Sequence, residues 1–352
     1  MHANRAKRWL ACLAVVLMSL CGAASAQGGP TGSAKEQAQR QQSQPGNNAP
    51  LWRDVRGGEN PYQTTQVRGI ETAVLVQSGG ETWRQMRNVI TIYGGWLLVI
   101  VTAAIALFYF TRGAIKLHGP PTGRKITRFN AWHRTVHWTV AISFCILAIS
   151  GIIIMFGKHV LIPLLGYTLF SWLAIASKNL HNFIGPLFAV ATLLMIVTYI
   201  KDNLPKSYDF KWFAKAGGLF TGTHVPSGRY NAGEKSWFWI GVCVLGVVVS
   251  VTGFILDFPN FAQGRATMQQ ANIIHAVAAV IFIALSLGHI YMGTLGVQGA
   301  YQSMRTGEVD ETWAKEHHEY WYNEAVAGKG GSTAGATPNT APAESMKEGW
   351  KL

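Results

Sequence analysis

Charge is scarce in this chain. Only 13% of its 352 residues are Asp, Glu, Lys or Arg, against about a quarter in a soluble globular protein. Acids are the scarcer sign, 17 against 30 bases. An ordinary water-soluble domain is thereby excluded. Cysteine is almost missing as well, with four in all. Cys12 and Cys21 fall in the first 26 residues, while Cys145 and Cys243 lie in apolar runs and read as small packing residues. With no CxxC and no CxxCH, neither a thiolate cluster nor covalent haem attachment is supported. Also missing are a nucleophile–base pair, a phosphate loop, a carboxylate dyad and any evident internal repeat. The chain itself is not expected to perform substrate chemistry.

What fills the space is apolar. Hydrophobic residues make up 49%, with 13 tryptophans and a formal charge of +13. The bases sit in short segments between apolar runs, which matches loops at a membrane face and not a nucleic-acid surface. Residues 1–26 read as a signal peptide: Arg5, Lys7 and Arg8, then an apolar stretch, then Ala24-Ser25-Ala26 as a small-residue cleavage site. An uncleaved additional helix is the alternative, and the bulky Leu20 argues against lipidation at Cys21. Residues 27–50 are Gln-, Gly- and Pro-rich and read as a disordered linker, and residues 51–88 as a periplasmic segment.

Five apolar runs follow, near 90–110, 137–156, 180–200, 237–256 and 273–293. Each is close to the ~20 residues that cross ~30 Å of hydrocarbon. The fold class expected is an all-α membrane protein: a four-helix bundle over 125–300, one additional transmembrane helix at 89–111, and a cytoplasmic segment and tail at 301–352. Arg112, Lys116, Arg124, Lys125 and Arg128 mark the first loop as cytoplasmic. The loop 157–178 then lies outside, 201–235 inside and 257–270 outside. The mature N-terminus is periplasmic, the C-terminus cytoplasmic, and the membrane a bacterial inner membrane.

The eleven histidines sort onto this topology. His2, His118, His159, His224, His317 and His318 fall outside the helices and read as solvated surface groups. His137, His181, His275 and His289 fall inside, where imidazole needs a partner. His275 and His289 lie ~21 Å apart on one helix, roughly 40° short of four full turns, and so project from nearly one face. Depth matches His181 with His275 at the outer level and His137 with His289 at the inner. One nitrogen above and one below a flat ring is what a b-type haem requires, and two matched pairs provide for two haems. Gly185, Gly253 and Gly288 could let the macrocycle approach the helix backbone, and ordinary helix packing explains them equally. His133, four residues before His137 on the same face, is an alternative ligand. Zinc would want the four clustered, and a haem-free anchor or proton relay remains the rival of a different class.

These residues resemble a known family, the cytochrome b (gamma) subunit of respiratory formate dehydrogenase, in a long form with a signal and an extra N-terminal helix. The motifs are VHWTVAISFCILAISGI, LHNFIG, RYNAGEK and the H-x13-H helix ending in HIYMG, over roughly residues 125 to 327 including WAKEHHEYWYNEA. The resemblance implies His181/His275 on a periplasmic haem and His137/His289 on a cytoplasmic one. It further implies a quinone bordered by Asn231, the backbone at Gly233, and His289. The partners implied are an iron–sulfur (beta) subunit and a molybdenum- or tungsten-containing catalytic (alpha) subunit. They would feed electrons inward to membrane quinone in anaerobic respiration, with protons taken from the cytoplasm. A hydrogenase or thiosulfate reductase could use the same scaffold.

Overall fold

The structure, a computed structural model, describes residues 78–218, 225–261 and 263–329. The expected signal, the linker, most of the periplasmic segment, the tail after 329, His2 and His224 lie outside the described residues. Among the described residues, five helical segments are long and apolar enough to cross a membrane.

The first, α1 (Ser78–Arg112), starts before residue 89, because ETWRQMRN continues the helix with an i,i+3 pair of Arg84 and Glu81 at 3.2 Å. After a loop and a short strand β1 (Lys125–Thr127), Asn130 caps α2 (Ala131–Val160) by accepting the His133 N–H at 2.9 Å. A single residue, Leu161, separates α2 from α3 (Ile162–Tyr199), which has proline in its first turn. The outer loop expected at 157–178 is therefore not a loop. Its Pro and Gly punctuate only one turn: Gly166 takes φ 74°, ψ 172°, and helix resumes through the apolar residues that follow.

Next come a short helix α4 (Ser207–Ala214) and α5 (Ala232–Ser236). Asn231 caps α5 in a reciprocal box with Glu234, each accepting the other's backbone N–H at 2.9 Å. From α5 the chain runs through a wide, π-helical stretch (Trp237–Gly246) into α6 (Val247–Asp257). The long helix α7 (Arg265–Tyr291) carries two of the intramembrane histidines.

α2 lies along α3, α3 meets the α5–α6 rod, and α7 packs on that rod on one side and on α1 on the other. Phe188, Phe238, Val242 and Phe282 are among the side chains buried in the bundle. α1 is tied to α7 where Trp83 Nε1 donates to Asn272 Oδ1 at 3.0 Å.

The stretch after α7 folds as a cap. Helix α8 (Ala300–Arg305) leads to β2 (Glu308–Asp310), which pairs antiparallel with β1, Ile126 opposite Val309. Helices α9 (Glu311–His317) and α10 (Glu319–Lys329) then build a small second core of Ile126, Val309, Trp313 and Ala314. Trp138 Nε1 and the Arg134 guanidinium of α2 donate to the Met304 and Arg305 carbonyls at 3.0 Å, fastening this cap to the bundle.

Candidate functional site

Four intramembrane histidines meet as two couples. On the side away from the cap, His181 of α3 and His275 of α7 face each other with ring centres 6.2 Å apart. Each ring is held from behind by a hydroxyl: Ser150 Oγ is 2.9 Å from His181 Nδ1, and Thr252 Oγ1 is 3.0 Å from His275 Nδ1. The glycine after each hydroxyl makes the room. A Cβ on Gly151 would sit 3.4 Å from His181 Cε1, and one on Gly253 would sit 3.4 Å from His275 Cε1. Gly253, for which a nearby macrocycle and ordinary helix packing were equal expectations, accommodates the imidazole itself.

On the cap side, His137 of α2 faces His289 of α7 with ring centres 6.3 Å apart. His289 is stacked on Trp237, 4.7 Å away and inclined by 12°. His133 does not join this pair. Its Nδ1 is 2.6 Å from Asn130 Oδ1, and its ring meets Tyr199 edge-on at 5.2 Å. Between the two levels Phe144, Phe188 and Phe282 fill the bundle, with Phe144 and Phe282 4.6 Å apart.

Below the cap-side pair lies a polar network. The buried Arg128 donates to Glu234 at 3.1 Å and to the Arg229 carbonyl at 2.7 Å, and it lies against Phe129 and Trp313. Arg229 pairs with Asp202 at 2.6 Å, and Lys235 with Asp209 at 2.8 Å. His318, expected to be solvated, is 1% exposed. Its Nδ1–H donates to the Gly228 carbonyl at 2.8 Å, and burial together with the neighbouring Arg128 pushes its pKa down to about 3. Asn231 and Gly233 sit at the edge of this network. The Asn231 carbonyl oxygen is taken by the α5 cap, and Gly233 leaves room for Trp212, whose ring would lie 2.9 Å from a Cβ there.

The family model of prokaryotic cytochrome b561 matches residues 128–307, more than half of the chain. The chain belongs to the prokaryotic cytochrome b561 family. Among curated relatives of this cytochrome b561 protein is the nitrate-inducible formate dehydrogenase cytochrome b556(Fdn) subunit of Escherichia coli strain K12. It is 34% identical over 212 residues, covering 57% of this chain and 92% of the relative. The formate dehydrogenase cytochrome b556(fdo) subunit of the same strain is 32% identical over 208 residues, 56% and 92% of the two chains. The formate dehydrogenase cytochrome b556 subunit of Haemophilus influenzae is 28% identical over 216 residues, 58% and 85%. Helix α1 precedes the residues that the family model matches.

Membership of a cytochrome b family implies b-type haem in an integral membrane protein, and the donors present fit that group. A metal–imidazole bond is about 2.0 Å and a ring nitrogen lies about 1.1 Å from its ring centre, so two rings clasping one ion stand about 6.2 Å apart. Both couples match that spacing. Gly185, one turn after His181, and Gly288, beside His289, each face open space in which a Cβ would meet nothing within 4 Å. Among the described residues no three His, Cys, Asp or Glu converge as a clustered metal site. Three contributors escaped the sequence reading: Ser150, Thr252 and Trp237. The legible signal was a hydroxyl followed by glycine, Ser150-Gly151 and Thr252-Gly253, occurring once in each of two apolar runs.

Proposed function

We propose that this protein is the membrane cytochrome b subunit of a formate dehydrogenase, in which His181/His275 and His137/His289 would hold two b-type haems. The observation that carries the reading is the pairing. Four histidines from three helices meet as two couples at two levels of one bundle, each at the spacing of a shared ion. The names of the relatives support formate as the substrate of the complex. Bound haem supplies one-electron transfer, and the chain's own part is conduction across the membrane.

In this reading a periplasmic iron–sulfur subunit, served by a molybdenum or tungsten catalytic subunit, delivers electrons at the His181/His275 level. They leave at the His137/His289 level to membrane quinone. The cap carries Arg124, Lys125 and Arg128, which supports a cytoplasmic position for that end in the inner membrane, with the mature N-terminus periplasmic. Asn231, the backbone at Gly233, and His289 border the quinone. Because the Asn231 oxygen serves the helix cap, its amide NH2 is the donor it offers to a quinone carbonyl.

A reduced-minus-oxidised spectrum of the purified complex tests the haems, and two b-type haems per chain are expected. His289→Ala should abolish formate-dependent quinone reduction while dye reduction at the partner subunits survives. A colourless chain, or unchanged quinone reduction, would overturn the reading. The identity of the co-purifying catalytic subunit separates formate dehydrogenase from a hydrogenase or thiosulfate reductase.

A further inference from the structure

The two couples differ in what stands behind their rings. Ser150 and Thr252 turn their hydroxyls back onto their own helices. Ser150 Oγ is 2.7 Å from the Ile146 carbonyl oxygen and 3.1 Å from that of Leu147. Thr252 Oγ1 is 2.6 Å from the Val248 oxygen and 3.3 Å from that of Val249. A hydroxyl has one hydrogen, and a carbonyl oxygen can only accept. Both hydroxyl hydrogens are therefore committed to the helix backbone, and what each oxygen turns toward imidazole is a lone pair. At 2.9 and 3.0 Å, His181 Nδ1 and His275 Nδ1 must carry the hydrogen and donate it. This fixes one tautomer in both rings and leaves Nε2 bare for a metal.

Among the described residues, no hydroxyl or other acceptor stands behind the cap-side pair in the same way. His137 Nδ1 is buried and has no hydrogen-bond partner. His289 is covered on its face by Trp237, which supplies no acceptor in the plane of the ring.

We propose that Ser150 and Thr252 are positioning residues that set the redox order of the two haems, making the His181/His275 site the lower in potential and the His137/His289 site the higher. The proposal rests on the two-haem reading above. An imidazole that donates from Nδ1 is a more basic ligand through Nε2. A more basic pair of axial ligands favours ferric over ferrous iron and so lowers the potential. An electron then passes downhill from the first level to the second, oxidising the one by one electron and reducing the other by one. The direction is the one that quinone reduction at the cap side needs.

A redox titration of the full complex, followed at the haem α-band, reads this without any turnover. The wild type should show two waves. Ser150→Ala and Thr252→Val should each raise the lower wave, additively in the double variant, and leave the upper wave in place. Thr252→Ser, which keeps the oxygen, should leave both waves unmoved. His137→Ala should delete the upper wave; that variant tests the order even where Ser150→Ala sheds haem. Coincident waves in the wild type would overturn the proposal. So would a lower wave unmoved in the double variant, a shift of the upper wave, or loss of the lower wave in His137→Ala. A chain with no haem bands would overturn the two-haem reading itself; haem bands with misplaced waves would overturn only the role of the hydroxyls.

Discussion

Trp237 lies flat against His289, and a glycine one turn later makes that possible. A Cβ on Gly241 would come within 2.7 Å of the Trp237 ring, which is held between His289 and the bundle core. Gly241→Ala should therefore push the indole off the imidazole and destabilise the bundle by about 1–3 kcal/mol, as overpacking of a tight core does. Thermal unfolding in detergent and a perturbed haem spectrum check this, with Gly328→Ala, which faces open space away from the histidines, as the control for stability. At the same scale, His133 and His137 share a helix face and a residue type. What separates them is Asn130, whose side chain binds both the backbone and the ring of His133 and leaves His137 for His289. Asn is a common helix cap. That this cap would also take a neighbouring imidazole depends on the rotamers of both, which spacing does not encode.

Among the elements, α5 has the heaviest electrostatic duty for its five residues. Its cap engages Asn231 and Glu234, Glu234 holds Arg128, and the next residue, Lys235, is buried against Asp209 of α4, with side chains 6% and 9% exposed. Removing one partner of a buried pair strands the other charge, whereas removing both does not. Lys235→Met should destabilise the protein by about 3–5 kcal/mol, while the double variant Lys235→Met/Asp209→Leu should recover most of that loss. Unfolding midpoints of the two singles and the double settle the matter. Helix α3 shows the opposite relation between sequence and element. Hydropathy locates the span near 180–200 but not its start, which lies at Ile162. The apolar residues between there and His181 belong to the helix.

At the scale of the whole molecule, the cap closes the bundle at its His137/His289 end. His318 lies inside that closure. It stays neutral in the fold down to about pH 3, against an ordinary value of 6.5, because it is buried and faces Arg128, with Glu234 and His317 opposing one another nearby. Between those two values unfolding takes up a proton that the folded cap refuses, so stability must fall as pH drops below 6.5. Glu316 acts in the same sense. Although burial opposes it, the backbone N–H groups of His118 and Gly119 hold its carboxyl below the usual carboxylate range, and that stabilisation is lost only as pH falls below 4.5. Through His318, protection of the amides in residues 301–329, corrected for the intrinsic pH dependence of exchange, should fall between pH 7 and pH 5 before the bundle loosens, and His318→Phe should flatten that trend. Unchanged protection across that range would contradict the electrostatic account.

The four bundle spans, the extra helix and the four histidines all lay in the order of the residues. Hydrocarbon demands long apolar runs, and the 3.6-residue turn puts His275 and His289 on one face. Depth alone then matched the couples. Burial of His318, the choice of His137 over His133, the hydroxyls behind two of the rings and the tryptophan behind a third were settled by packing. Each depends on which helix lies against which and, for the rings beside Gly151, Gly253 and Gly241, on the absence of a Cβ that would crowd them, distances that hydropathy and spacing do not encode.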